Sequence, residues 1–142
     1  MLYGKNVVLG VSGGIAVYKA CEIVSRLKKL GANVDVIMTD NAREFVTPLT
    51  FQTLAKSAVV TNAFEPVKEF DINHISLAKK ADIFVVAPAT ANVIAKFAEG
   101  IADDMLTTTY LASNAQKLIC PAMNCNMYED ETTQNNMRTL KD

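Results

Sequence analysis

The sequence predicts an α/β fold: a three-layer, Rossmann-like (flavodoxin-like) parallel sheet with helices on both faces. Three observations predict it. Short runs of bulky apolar residues alternate with longer stretches of helical period. Runs such as Ile83 to Ala87 (IFVVA) are apolar throughout, as strands covered on both faces must be. The main runs end in glycine, proline or small polar residues that turn the chain toward a helix. Right-handed crossovers follow from strand twist.

Val7 to Val11 reads as strand one, ending in Ser-Gly-Gly. Val17 to Leu30 reads as a helix, with Val17, Cys21, Val24, Leu27 and Leu30 on its dry face and Gly31 as its stop. Val34 to Met38 is strand two. Thr39-Asp40-Asn41 can cap a helix after it, and Pro48 marks a break. Phe51 to Ala55 is helical, Ala58 to Val60 a short strand, and Glu65 to Asn73 a polar loop. Ile75 to Lys80 is a short helix. Ile83 to Ala87 is the clearest strand and stops at Pro88. Asn92 to Ala98 and Met105 to Ala112 are helices around the turn at Gly100 to Asp104. Lys117 to Cys120 is the last strand, closed by Pro121, and a polar tail carries a helix around Gln134 to Leu140.

At 142 residues, half of them apolar, the chain is one domain's worth of globular sequence. Fourteen basic and fifteen acidic residues leave a net charge of −1, so composition points to neither nucleic acid nor an anionic membrane. No apolar run reaches the roughly 18 residues of a membrane span. The N-terminus lacks the pattern of a secretory signal. Three cysteines at wide spacing (Cys21, Cys120, Cys125) offer no disulfide framework and suit a reducing cytoplasm. Without a C-x-x-C pair, Cys120, Cys125 and His74 make a poor zinc set, so no metal is expected.

Open α/β sheets bind ligands beyond the carboxyl ends of their strands. Four segments fall there: Ser12-Gly13-Gly14-Ile15, Thr39-Asp40-Asn41, Pro88-Ala-Thr90-Ala91-Asn92 and Pro121-Ala122-Met-Asn124. Glycines between a strand and a helix expose N–H groups suited to a phosphate. The run is not G-x-G-x-x-G, so a mononucleotide phosphate fits better than a dinucleotide. A plain strand-to-helix turn uses the same residues, and this segment alone leaves both readings open. Gly10-Val-Ser-Gly-Gly14 also matches the G-x-S-x-G pattern of a hydrolase nucleophile. Its place on the first strand of a short chain sets a serine hydrolase aside. His74, the single histidine, is either a capping surface residue or a partly buried base or carboxylate-binding cation, and spacing does not decide. Thr90 and Asn92 suit a helix cap and also the polar edge of a heterocycle. Two methionines and two asparagines between Pro121 and Tyr128 favour a ligand wall over simple packing.

Taken together, Ser12-Gly-Gly-Ile-Ala-x-Tyr-Lys19, Ile72-Asn-His-Ile75, Pro88-Ala-Thr-Ala-Asn92 and Pro121-Ala-Met-Asn-x-x-Met-Tyr128 resemble the flavin-dependent cysteine decarboxylases. The nearest branch acts on 4′-phosphopantothenoylcysteine in bacterial coenzyme A synthesis. The likeness covers essentially the whole chain, with the four motifs collinear. It implies a bound FMN, a homo-oligomer (a trimer, or trimers gathered into a larger shell) and decarboxylation to 4′-phosphopantetheine. The implied reaction oxidises the cysteinyl side chain, loses CO2 from the thioaldehyde and reduces the enethiol. It also implies a phosphopantothenate–cysteine ligase as a partner or following domain.

Carried over by position, His74 matches the active-site histidine. Ser12, Gly13, Gly14, Ile15, Thr39, Asp40 and Asn41 match FMN-contacting loops, as do Pro88, Thr90, Ala91, Asn92, Val93 and Ala122. Asn124 matches the residue that holds the substrate carboxylate, a catalytic and substrate-binding position, and Met127 its pocket wall. The family often has Ser at Thr90, Thr at Val93 and Trp at Tyr128. It also places a substrate flap with an Ala-Cys-Gly cysteine beyond this point, so residues 1–142 are expected to form an FMN-binding decarboxylase domain lacking that flap. Alternatives are the lantibiotic-type peptidyl-cysteine decarboxylases and a non-catalytic flavodoxin-like electron carrier. Carriers tend to be strongly acidic, unlike this chain. Flavin prenyltransferases share the fold, but His74 in this context is not expected there.

Overall fold

The computed structural model describes residues 1–61 and 74–141, and of His74 and Ile75 it describes the backbone alone. Four parallel strands form one sheet: β1 (Asn6–Val11), β2 (Asn33–Met38), β3 (Ile83–Ala89) and β4 (Gln116–Pro121), in the order β2-β1-β3-β4. The helices are α1 (Val17–Lys29), α2 (Pro48–Ala55), α3 (His74–Lys80), α4 (Ala91–Glu99), α5 (Met105–Ala112), α6 (Cys125–Glu129) and α7 (Glu131–Lys141), with a 3-10 turn at Ala42–Glu44. Among the described residues no helix is long and apolar enough to cross a membrane.

Period-two alternation builds the layers. Val7, Leu9 and Val11 of β1, with Val34, Val36 and Met38 of β2, pack on Val17, Ala20 and Val24 of α1 and Phe51 of α2. Val8, Ile37, Phe84 and Val86 take the opposite face, against Leu77 of α3, Ile94 and Phe97 of α4 and Leu106 and Tyr110 of α5. Tyr110 stacks on Phe97 at 3.7 Å between centroids and meets Phe84 edge-on at 5.7 Å. Gly10 belongs to this packing: a Cβ there would lie 2.3 Å from Leu106 Cδ1. Its place in a G-x-S-x-G pattern reflects the sheet's need for a bare backbone.

Several boundaries differ from the sequence reading, each for a local reason. β3 does not stop at Pro88 but runs to Ala89, with a shifted register against β4. The missing proline N–H is no loss there, because the Pro88 carbonyl is the group in use, accepting from Ser12 N at 3.3 Å. Pro48 opens α2 instead of breaking the chain, since a first-turn N–H needs no helical partner. The segment at Ala58 to Val60 contributes only an isolated bridge from Val60 to Ile37 on the outer edge of β2. The tail helix begins at Glu131, earlier than expected, and α6 is an additional helix that no apolar stripe announced. The expected loop from Glu65 to Asn73 lies outside the described residues.

Candidate active site

The chain leaves β1 for α1 on one face of the sheet and leaves β3 for α4 on the other. The carboxyl ends of these neighbours therefore diverge into a crevice, the switch point where open α/β sheets take ligands. Ser12 ties its two sides together. Its hydroxyl donates to the Pro88 carbonyl at 2.6 Å and accepts from Thr90 N at 3.1 Å, with the residue 2% exposed. That hydroxyl is committed to joining two loops and is no free nucleophile.

Gly13 lets a third loop close in. A Cβ on it would sit 2.4 Å from Asn41 Cβ and 2.8 Å from the Asn41 carbonyl carbon. The turn after β2 is held in turn by Thr39, whose Oγ1 accepts from Ala42 N at 3.2 Å, while Thr39 N donates to Val11 O at 3.0 Å. Thr90 caps α4, its side chain accepting from Val93 N at 3.2 Å. Among the described residues, the N–H groups of Gly13, Gly14, Ile15, Ala91 and Asn92 donate to no protein acceptor. Neither α1 nor α4 carries an acidic residue in its first turn. Two helix N-termini with unpaired donors thus open into one crevice, the arrangement that receives an anion.

The crevice has two lobes that share Gly13 and Thr90. The first, of 330 Å³, is polar and is lined by Ser12, Thr39, Asp40, Asn41, Asn92 and Val93 from the expected set. The second, of 450 Å³, is walled by Gly14, Ile15, Pro88, Ala91, Ala122, Asn124 and Met127. Each volume is in the range of small-molecule sites. Asn124 caps α6 by accepting from Asn126 N at 2.8 Å, which turns its Oδ1 to the backbone and leaves its Nδ2 donors for a ligand. Ile15 is 77% exposed and Met127 49%, so this lobe is apolar yet open. His74 begins α3; its side chain lies outside the described residues.

The sequence reading missed three charged residues of the polar lobe: Lys96, Asp103 and Asp104. Lys96 Nζ lies 3.1 and 2.9 Å from the two oxygens of Asp103. That hydrogen bond, chiefly, holds the Asp103 carboxyl below its ordinary range. Asp104 forms a capping box with Thr107, accepting from its N at 2.8 Å. The one-turn spacing of Asn92 and Lys96 on α4 was the available signal, and the D-x-x-T cap was another. Burial raises the Cys120 thiol, while Cys125 is exposed. Among the described residues no group of His, Cys, Asp and Glu could hold a metal ion.

Comparison with known proteins identifies the family. The flavoprotein family model matches residues 1–142. The chain is 55% identical over 140 residues to the coenzyme A biosynthesis bifunctional protein CoaBC of Bacillus subtilis (strain 168), covering 99% of the chain and 34% of that protein. It is 46% identical over 139 residues to the probable phosphopantothenoylcysteine decarboxylase of Streptococcus mutans, covering 96% of the chain and 78% of that protein. Among solved structures, the FMN-dependent cysteine decarboxylase SpaF superposes with a TM-score of 0.91 at 32% identity, covering 99% of this chain and 81% of that one. The chain spans 34–35% of the length of bifunctional relatives such as those of Bacillus subtilis and Vibrio vulnificus. The chain therefore belongs to the flavoprotein family, among its flavin-dependent cysteine decarboxylases.

Proposed function

We propose that the crevice binds FMN and that the chain decarboxylates 4′-phosphopantothenoylcysteine to 4′-phosphopantetheine. The observation that carries this reading is the pair of joined lobes. A polar one, lined by Gly13 and Asn92 with their unpaired N–H groups, suits a phosphate, and an apolar one bordered by Asn124 and Met127 suits a planar ring and its substrate. Relatives named for coenzyme A biosynthesis, at 46–55% identity over nearly the whole chain, support the substrate. The residues present fit the cofactor, since Gly13 lets the Asn41 loop close on the lobe and the unpaired N–H groups of Gly13 and Asn92 line it.

When bound, FMN supplies the electron acceptance and return that decarboxylation through an oxidised cysteine requires. Everything else falls to the chain. The N–H groups of Gly13 and Asn92, with Thr39 and Asn41, hold the phosphate and ribityl chain. Ile15, Pro88 and Ala122 wall the ring. Asn124 holds the substrate carboxylate through Nδ2, and Met127 excludes water beside it. His74 takes a proton from the cysteinyl side chain during its oxidation.

The open second lobe, with Ile15 of its wall 77% exposed, suits closure by another copy of the chain, as a trimer or a larger shell would provide. The bifunctional relatives support a cytoplasmic setting and a ligase partner or domain. His74→Asn tests the reading: the variant keeps its flavin and loses CO2 release about 100-fold or more. Undiminished decarboxylation would remove His74 from its role. Turnover only of a peptide ending in cysteine would favour the peptide-acting relatives.

A further inference from the structure

The polar lobe contains one cation among its described lining residues, and that cation has no role so far. Lys96 lies one turn beyond Asn92 on α4, on the side that faces the crevice. Its side chain is 24% exposed and its ammonium bridges both oxygens of Asp103. Near the C-terminus of α4, a lysine also complements the helix dipole, and an ion pair of this exposure contributes little stability. Neither role requires the ammonium to line a cavity.

The charges around it narrow the possibilities. Three carboxylates line the lobe, and each has a partner: Asp40 lies 3.9 Å from Arg43, Asp103 is bridged by Lys96, and Asp104 accepts from Thr107. The unpaired N–H groups of Gly13 and Asn92, which line this lobe, invite an anion into the same space. An anion entering there meets backbone dipoles and one full positive charge, already held in place by Asp103. A lysine ordered before binding loses less rotamer freedom when it takes up a ligand.

We propose that Lys96 is the residue that reads the phosphate charge of FMN, with Asp103 keeping its ammonium at the lobe until the phosphate is bound. This rests on the reading that the crevice takes FMN. The role is one of cofactor specificity: Lys96 distinguishes FMN from riboflavin, which has the same ring and ribityl chain without the phosphate. The proton stays on the lysine throughout, and no bond is made or broken.

The test titrates flavin-stripped protein with FMN and with riboflavin, following flavin fluorescence, with circular dichroism to confirm the fold. Lys96→Gln keeps most of the aliphatic stem and removes the charge. It weakens FMN binding about 10- to 100-fold, as expected for a charge-assisted hydrogen bond, and leaves riboflavin within about twofold. Lys96→Arg restores most of the FMN preference. Asp103→Asn breaks the ion pair but leaves the ammonium, and it preserves the preference. Equal weakening of both flavins by Lys96→Gln, or loss of the preference in Asp103→Asn, would overturn the inference in favour of a merely structural ion pair. Unchanged FMN binding in Lys96→Gln would also overturn it. A wild-type protein that binds no FMN would instead sink the underlying reading of the crevice. Should Lys96→Gln fail to fold, Lys96→Met, which also removes the charge and keeps the apolar stem, takes its place with the same expected loss of FMN preference and the same overturning outcomes.

Discussion

The two ends of the crevice are built differently. The β1–β3 end is closed within one chain: both strands are buried almost throughout, Ser12 stitches their loops, and Gly13 brings in a third loop. The β4–α6 end is open. β4 is exposed over half its length, and no residue of α6 is buried. The contrast teaches that a single chain preforms the phosphate half of the site and presents the substrate half as an unfinished wall. Substitutions in the closed half should therefore affect stability and flavin together, and those in the open half turnover alone.

The largest expected effect is at the centre of the closed half. Phe84 of β3 is fully buried against Tyr110, and Phe84→Ala destabilises by about 3–5 kcal/mol in denaturant unfolding. Gly13→Ala forces a Cβ into the Asn41 backbone, costing about 1–3 kcal/mol and at least tenfold in FMN affinity by fluorescence titration. Ser12→Ala strands the Pro88 carbonyl and the Thr90 N–H and destabilises by about 1–3 kcal/mol in the same unfolding measurement. In the open half, Asn124→Ala removes only the cap of the short helix α6, at most about 1 kcal/mol. Its FMN affinity is unchanged, while kcat/KM for the substrate falls. A loss of flavin in Asn124→Ala would erase the contrast.

The smallest effect is a pH dependence. Lys96 holds the Asp103 carboxyl below its ordinary range, so the pair's contribution is present above the unfolded aspartate value of about 3.9 and is lost as pH falls through the lower folded value. The pair is partly exposed, so the melting difference between wild type and Lys96→Gln is at most about 2 °C at neutral pH. It should vanish in the most acidic melts.

The closed half was the more legible one for the same physical reason. Buried parallel strands are continuous apolar runs, and Val7 to Val11 and Ile83 to Ala87 carry that signal without help from tertiary context. Ser-Gly-Gly and Pro-Ala-Thr-Ala-Asn marked the crevice because close backbone approach needs small residues. What sequence could not show was the use of each group. Ser12 lines the polar lobe, and its hydroxyl also donates to a carbonyl 76 positions away, a long-range bond that no local pattern announces. α6 and the start of α7 were invisible because α6 buries nothing and Thr133 is the sole buried residue of α7, leaving no apolar stripe to read. Lys96 belongs to none of the motifs, and it is α4 and the Asp103 turn that bring it to the cavity.

The most direct test of the central claim is the mass of the product formed from 4′-phosphopantothenoylcysteine by the FMN-loaded protein. The account predicts loss of CO2 from the substrate, whether or not the two hydrogens of the oxidation are returned to the product. Recovery of unchanged substrate from protein that carries its flavin would contradict it.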